Sequence, residues 1–278
     1  MDDEEIRRRL ERYLDAVPRP NTEVETIGAL TLFAKVGNGW PYYARPTLGS
    51  AEVTADDVSR VRERQRELNL PQTVEWVDET TPSLRPVIEQ AGMPYQALPL
   101  MVLRTLHPVG PPEGADVRLL RPDDPLLPLA IAVAYTGFAS PGTAAGPAGV
   151  DERDAAVAEM TPERVEFVRA RMHRGLTVSA VAVDHHFGPL SVGSHNPLDG
   201  VTEIVGVATL PSARRRGLGA AVTARLVADA EERGVTLIFL SAGSEDIARL
   251  YAQLGFERVG TSCIAEVPLA AEAAPDTA

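Results

Sequence analysis

Apolar residues along this chain alternate between helical and strand-like spacing from end to end. Residues 3–15 set Ile6, Leu10 and Leu14 on one helical face, and Pro18 and Pro20 close the run. Residues 26–36 read as a strand and 41–47 as a second. Thr54, followed by Asp56 and Asp57, has the form of an N-cap with an acidic first turn and predicts a helix to about residue 69. Residues 73–77 are strand-like, 82–92 helical with Gly92 as C-cap, and 97–103 strand-like. From 107 to 115, three prolines and two glycines exclude a helix or a central strand.

Beyond this linker, 117–120 reads as a strand, 125–138 as a helix broken at Pro128, and 139–150 as a mobile loop rich in Gly, Ala and Pro. Thr161 opens a helix with capping-box spacing. Strands follow at 176–183, 189–192 and 201–210, then a helix over 218–233 and a buried strand over 236–240. Residues 244–254 form a helix with Ile247, Leu250, Tyr251 and Leu254 on one face, and 256–267 form the last strand. The expected domains are 1–106 and 116–268, with a linker at 107–115 and a disordered tail at 269–278. Residues 73–103 and 236–267 repeat one order of strand, helix, glycine and strand, with Gly92-Met93 matching Gly255-Phe256; this points to an internal duplication.

Charge narrows the function classes. A formal net charge of -12 over 278 residues argues against nucleic-acid and acidic-membrane partners, which reward dense Lys and Arg. No apolar run approaches the roughly 20 residues that span a bilayer, and the charged start lacks a secretory segment, so the expectation is a cytoplasmic protein. The single cysteine, Cys263, excludes an internal disulfide and a cysteine-built zinc site, and it reads as a small buried hydrophobe. The pair His185-His186 lacks a third ligand at recognisable spacing, so no metal site is expected.

The most informative stretch is Thr209-Leu-Pro-Ser-Ala-Arg-Arg-Arg-Gly-Leu-Gly-Ala220. A strand runs into it and a helix leaves it. Glycines let backbone approach a ligand, and the first helical turn presents unpaired N–H groups to phosphate oxygens. A dinucleotide turn would need a third glycine where Val222 stands, and a P-loop would need a lysine, whereas Lys35 is the only lysine in the chain.

Thr209-x-Pro211-x-x-Arg214-x-x-Gly217-x-Gly219 resembles the acyl-CoA signature of the GCN5-related N-acetyltransferase (GNAT) family. Ser244-x-x-Ile-x-x-Leu250-Tyr251-x-x-x-Gly255-Phe256 resembles that family's second motif. The resemblance covers about residues 116–267, and the N-terminal half resembles a degenerate copy without the cofactor motif. It implies an α/β (α+β) fold of two tandem domains, each a mixed, mostly antiparallel sheet flanked by helices. It also implies acetyl-CoA as co-substrate and a small-molecule or peptide amine as acceptor, in a monomer or homodimer.

On this resemblance, the backbone of Val207, Ala208, Thr209 and Leu210 binds the pantetheine arm and the thioester carbonyl. Arg214, Arg215, Arg216, Gly217, Leu218, Gly219 and Ala220 hold the pyrophosphate, mainly through N–H groups with the arginine side chains assisting. Ser244, counted with these cofactor-binding residues, stands where the family often has Asn and keeps the N-cap role. Tyr251 protonates or hydrogen-bonds the departing thiolate; its alternative is a packed aromatic. Glu203 is a candidate base for the ammonium, and strand alternation puts it on the face of Val205, Val207 and Thr209; its alternative is a solvent-facing carboxylate. His195 and water are the rival bases. A non-catalytic acyl-CoA-binding sensory or interaction module is the alternative to an enzyme.

Overall fold

Two apolar clusters organise the chain. The computed structural model describes residues 1–36, 43–50, 52–110, 112 and 114–267. The expected tail over 269–278, Pro41 and Tyr42 of the strand expected over 41–47, and Pro111 and Glu113 of the linker lie outside the described residues. Contacts divide the chain into one unit of Met1–Leu98 with Gly260–Ala278, and another of Pro99–Val259. Each unit therefore draws on a stretch that chain order alone assigns to the other.

The first unit contains α1 (Asp3–Ala16), β1 (Thr22–Ile27), β2 (Leu30–Lys35), β3 (Ala44–Pro46), α2 (Ala55–Glu67), β4 (Gln72–Val77) and α3 (Leu84–Gln90). It also holds the start of β5 (Tyr95–Leu103) and the end of β11 (Phe256–Val267). β1 and β2 form an antiparallel hairpin, β3 runs parallel to β4, and β4 pairs antiparallel with β11 from Val77↔Ser262 to Gln72↔Val267. Leu30, Leu32, Val61, Trp76, Leu84 and Ile88 fill the core with Cys263, which is wholly buried. Burial pushes the Cys263 thiol up to about 11, which suits an inert core residue. The run expected as one strand over 26–36 is instead a hairpin, because the chain turns at Gly28-Ala29 with Gly28 at φ +61°.

The second unit orders its strands β5-β10-β9-β8-β7-β6. Here β6 is Ala115–Leu119, β7 Val178–Asp184, β8 Gly188–Leu198, β9 Val201–Thr209 and β10 Leu237–Ser241. Its helices are α4 (Leu127–Phe138), α5 (Val150–Ala158), α6 (Pro162–His173), α7 (Leu218–Glu232) and α8 (Glu245–Gln253). Pairing is antiparallel except between β9 and β10. The two long helices take opposite faces. A Cβ on Gly193 of β8 would come within 3.0 Å of Val222 in α7, whereas one on Gly137 of α4 would come within 2.9 Å of the Ala208 Cβ.

Four expectations change here. Pro128 does not break a helix; it lies in the first turn of α4, where its missing N–H costs nothing. Helix α5 was not anticipated. Thr161 makes no side-chain cap: the Arg164 N–H donates to the Thr161 carbonyl at 3.1 Å instead, and Arg164 in third place offers no acceptor for the other half of a capping box. Leu250 is 40% exposed, so the buried stripe of α8 is Ile247, Ala248, Tyr251 and Leu254. Both units are α/β, built from mixed, mostly antiparallel strands flanked by helices.

Candidate active site

β9 carries two irregularities that open the second unit. Its register with β8 moves from Ser194↔Val205 to Val192↔Ala208, so two residues, Gly206 and Val207, oppose Gly193 alone. This is a β-bulge, and Gly206 sits in it at φ +64°, where a side chain would be strained. On the other edge, β10 pairs with β9 only at Val201, Thr202 and Glu203. From Ile204 to Thr209 no strand among the described residues pairs with that edge. A gap opens between β9 and β10, with Glu203 at its apex.

The bulge corrects the predicted face of Glu203. Residues paired across antiparallel strands share a face. Val205 is therefore on the face of Ser194 and Ala208, towards α4, and Glu203 lies there with it. Val207 and Thr209 lie on the α7 face, where a Cβ on Gly219 would be 3.8 Å and 3.5 Å from their side chains. One inserted residue has exchanged the faces.

Beyond β9 the chain makes a 3-10 turn (Pro211–Ala213) and enters α7 through Arg215 at φ +70° and Gly217 at φ +76°. α7 has no side-chain N-cap and no acidic residue in its first turn. Among the described residues, none accepts a hydrogen bond from the main-chain N–H of Arg215, Gly217, Leu218, Gly219 or Ala220. Such a cluster of donors at a positive helix end is the arrangement that suits an anion.

The three arginines have separate fates. Arg214, expected to assist the pyrophosphate, commits its side chain to four carbonyl oxygens: Thr209 at 3.4 Å, Ala144 at 3.0 Å, Gly137 at 2.9 Å and Ser140 at 2.6 Å. Its own N–H donates to Pro211 O at 3.3 Å. Arg216 donates to Asp184 at 3.1 Å. Arg215 is exposed and its side chain has no partner among the described residues, so it is the arginine left to meet an anion.

Tyr251 packs edge-on against Phe256, with ring centroids 5.6 Å apart. Burial pushes its phenol up to about 12, against a smaller opposing effect of the Thr223 hydroxyl. Thr223 donates to Gly219 O at 2.9 Å, which places Tyr251 beside the first turn of α7. Gly255 follows α8 at φ +96°, and a Cβ there would lie 1.8 Å from Thr105 O, so glycine is sterically required at this position. Ser244 caps α8 by accepting the Ile247 N–H at 3.3 Å.

His195 is not available as a base. It is fully buried, its Nδ1 lies 2.9 Å from the Thr202 hydroxyl, and its Nε2 lies 2.9 Å from Asp229, which also accepts from Arg233. A neutral ring donating from Nε2 and accepting at Nδ1 satisfies this network. Desolvation, outweighing Asp229, holds His195 below its ordinary 6.5. The unfolded chain then takes the proton first, so this contribution to stability is present above pH 6.5 and is lost as pH falls below it. We expect chemical denaturation at pH 5 and 7 to show a loss in the wild type that His195→Gln largely removes. An equal pH dependence in both proteins would contradict this.

Among the described residues there is no cluster of three or more His, Cys, Asp or Glu able to hold a metal, and no helix is long and apolar enough to cross a membrane.

Uncapped donors at the start of α7, the bulge in β9 and the open β9 edge thus lie together in the second unit. Residues 153–256 match the Acetyltransferase (GNAT) family. Among curated proteins none matches the chain by sequence. A GCN5-related N-acetyltransferase from Kribbella flavida is 23% identical with a TM-score of 0.69, over 95% of this chain and 96% of that one. A GCN5-related N-acetyltransferase-like protein from Streptococcus suis is 14% identical with a TM-score of 0.55, over 96% and 100%. A tandem GNAT protein from the clavulanic acid biosynthesis pathway is 14% identical with a TM-score of 0.52, over 88% and 79%. At these identities the likeness is one of fold.

Proposed function

We propose that the second unit transfers an acetyl group from acetyl-CoA to a primary amine by direct attack. The observation that carries this reading is the uncapped start of α7 set beside the open edge of β9. The donor set suits the co-substrate: free N–H groups of Arg215 and of Gly217 to Ala220, with the Arg215 guanidinium, match a diphosphate. The β9 edge from Val207 to Thr209 would offer main-chain groups to an extended amide-bearing arm and a donor to the thioester oxygen, whereas the expected Leu210 donates its N–H to Leu190 O at 2.9 Å. When bound, acetyl-CoA supplies the activated acyl group; this chain's residues position it and handle protons.

Glu203 and Tyr251 lie on opposite faces of the strands that border the gap. That arrangement lets Glu203 take a proton from an ammonium entering on the α4 side, directly or through water, while Tyr251 meets the sulfur from the α7 side. We further read the first unit as a second copy of the fold, in which residues 73–103 answer to 236–267.

The test is acetyl-CoA consumption over a broad panel of primary amines, with Gly219→Val as control. We expect turnover with at least one amine, and for the variant an acetyl-CoA Kd raised by about tenfold as a branched side chain enters the cradle. Unchanged affinity in the variant would sink the cradle assignment. Tight acetyl-CoA binding without turnover of any amine would make the unit an acyl-CoA-binding sensory module.

A further inference from the structure

Arg214 stands first in the cradle motif, yet every bond its side chain makes leads away from the free donors. Gly137 O belongs to the last turn of α4, a helix with no basic residue of its own there. Ser140 O and Ala144 O belong to the loop that joins α4 to α5, and Thr209 O to the end of β9. A guanidinium fork placed at these carbonyls caps the negative end of α4 and joins three separate segments at one point.

Two further attachments of the loop run to the same turn. Gly146 N–H donates to Pro211 O at 3.2 Å, and Ser212 N–H donates to Ala148 O at 2.9 Å. The loop is otherwise mostly exposed and built from Gly, Ala and Pro, so little else orders it. It was expected to be mobile; the structure ties it to residues 210–214. α4 seats directly on β9 at this point, since Gly137 leaves no room for a Cβ against Ala208. Glu203 lies on this same α4-facing side.

We infer that Arg214 is a positioning residue that splints the 139–149 loop and the end of α4 to the anion cradle, rather than a ligand of the anion. The function of this splint rests on the acetyltransferase reading. It would hold the amine side of the site in register with the acetyl-CoA side, so that loosening it costs amine recognition and spares acetyl-CoA binding.

The test uses the full chain with Arg214→Lys, Arg214→Ala and Gly146→Pro, the last removing a loop tether without touching Arg214. Three quantities are read: acetyl-CoA Kd, amine KM, and hydrogen-exchange protection over 139–149. We expect both Arg214 variants to lose protection by roughly tenfold and to raise amine KM by about tenfold, with acetyl-CoA Kd changed less than about threefold. Lysine should not rescue, because a single ammonium cannot span four carbonyls in a fixed fork. Gly146→Pro should give the same pattern more weakly, and it decides the matter if the Arg214 variants fail to fold. A rise in acetyl-CoA Kd above about tenfold with loop protection intact, or full rescue by Lys, would overturn the inference and make the side chain an anion ligand. If no amine is turned over, the acetyltransferase reading fails by itself, while exchange and acetyl-CoA binding still decide the role of Arg214.

Discussion

Replacing Tyr251 with Phe should lower turnover by about 10- to 100-fold and leave acetyl-CoA Kd within about twofold. The phenyl ring keeps the edge-on contact with Phe256, so the variant isolates the hydroxyl. Burial decides what that hydroxyl can do. With its pKa pushed up to about 12, the phenol carries its proton at neutral pH. A free thiol ionises near about 8.5, below this phenol, so complete transfer from Tyr251 to a thiolate would run uphill. The favourable role is a hydrogen bond to sulfur as charge builds on it, worth about 1.5–3 kcal/mol, and this sets the expected fold-change.

Two pH results follow for Tyr251. Ionisation of this phenol should contribute no alkaline limb to turnover near pH 10, where an ordinary tyrosine begins to ionise. The native state should also lose stability as pH climbs from 10 towards 12, since the unfolded phenol releases its proton first. Stopped-flow turnover with a pH profile, beside calorimetric acetyl-CoA binding, measures the main effect. Turnover unchanged in Tyr251→Phe would return the residue to simple packing.

The parts of this architecture that short-range chemistry dictates could be read from the chain. Thr54 with Asp57, Gly92, Gly217 and Gly255 mark element ends because their caps and turns involve neighbours within a few residues. The glycine turn into α7 was legible for the same reason. What escaped depends on distant partners or on a single inserted residue. Gly206 reads in sequence as an ordinary interruption of a strand, yet the bulge it permits moves Val207 and Thr209 to the face opposite Glu203. Three of the four carbonyls that hold Arg214 lie around 70 residues away in the chain, for which no local pattern exists. His195 looked like a candidate base because its partner Asp229 is 34 residues downstream. The Asp199-Gly200 turn, at φ +48° and +74°, was a readable hairpin signal, and it accounts for β8 running to Leu198 instead of stopping at Val192.

Asp57→Ala should destabilise the first unit by about 2–3 kcal/mol, and the wild-type chain should bind one acetyl-CoA, not two. Both expectations come from comparing two helix starts. α7 begins with open donors, whereas α2 begins with a capping box in which Thr54 and Asp57 satisfy each other's groups. The Asp57 carboxylate accepts from Thr54 N–H at 2.9 Å, from the Thr54 hydroxyl at 2.7 Å and from Ala29 N–H at 3.2 Å, which also pins the β1–β2 turn. With Asp56 beside it, two acids occupy the helix end where a phosphate would need positive potential. On the proposed reading of the first unit as a second copy of the fold, its own carboxylate stands where an anion would bind, and the bonds that stabilise the fold would exclude the ligand. Burial works against the charge on Asp57, but these hydrogen bonds prevail and hold its pKa below the ordinary 3.8. Its contribution is therefore complete above that value and is lost as pH falls through the lower folded one. Urea denaturation at pH 7 and pH 3 should show the Asp57→Ala deficit at the first and a smaller deficit at the second. Isothermal titration of the wild type gives the stoichiometry, and two acetyl-CoA bound per chain would show that the α2 end is open after all.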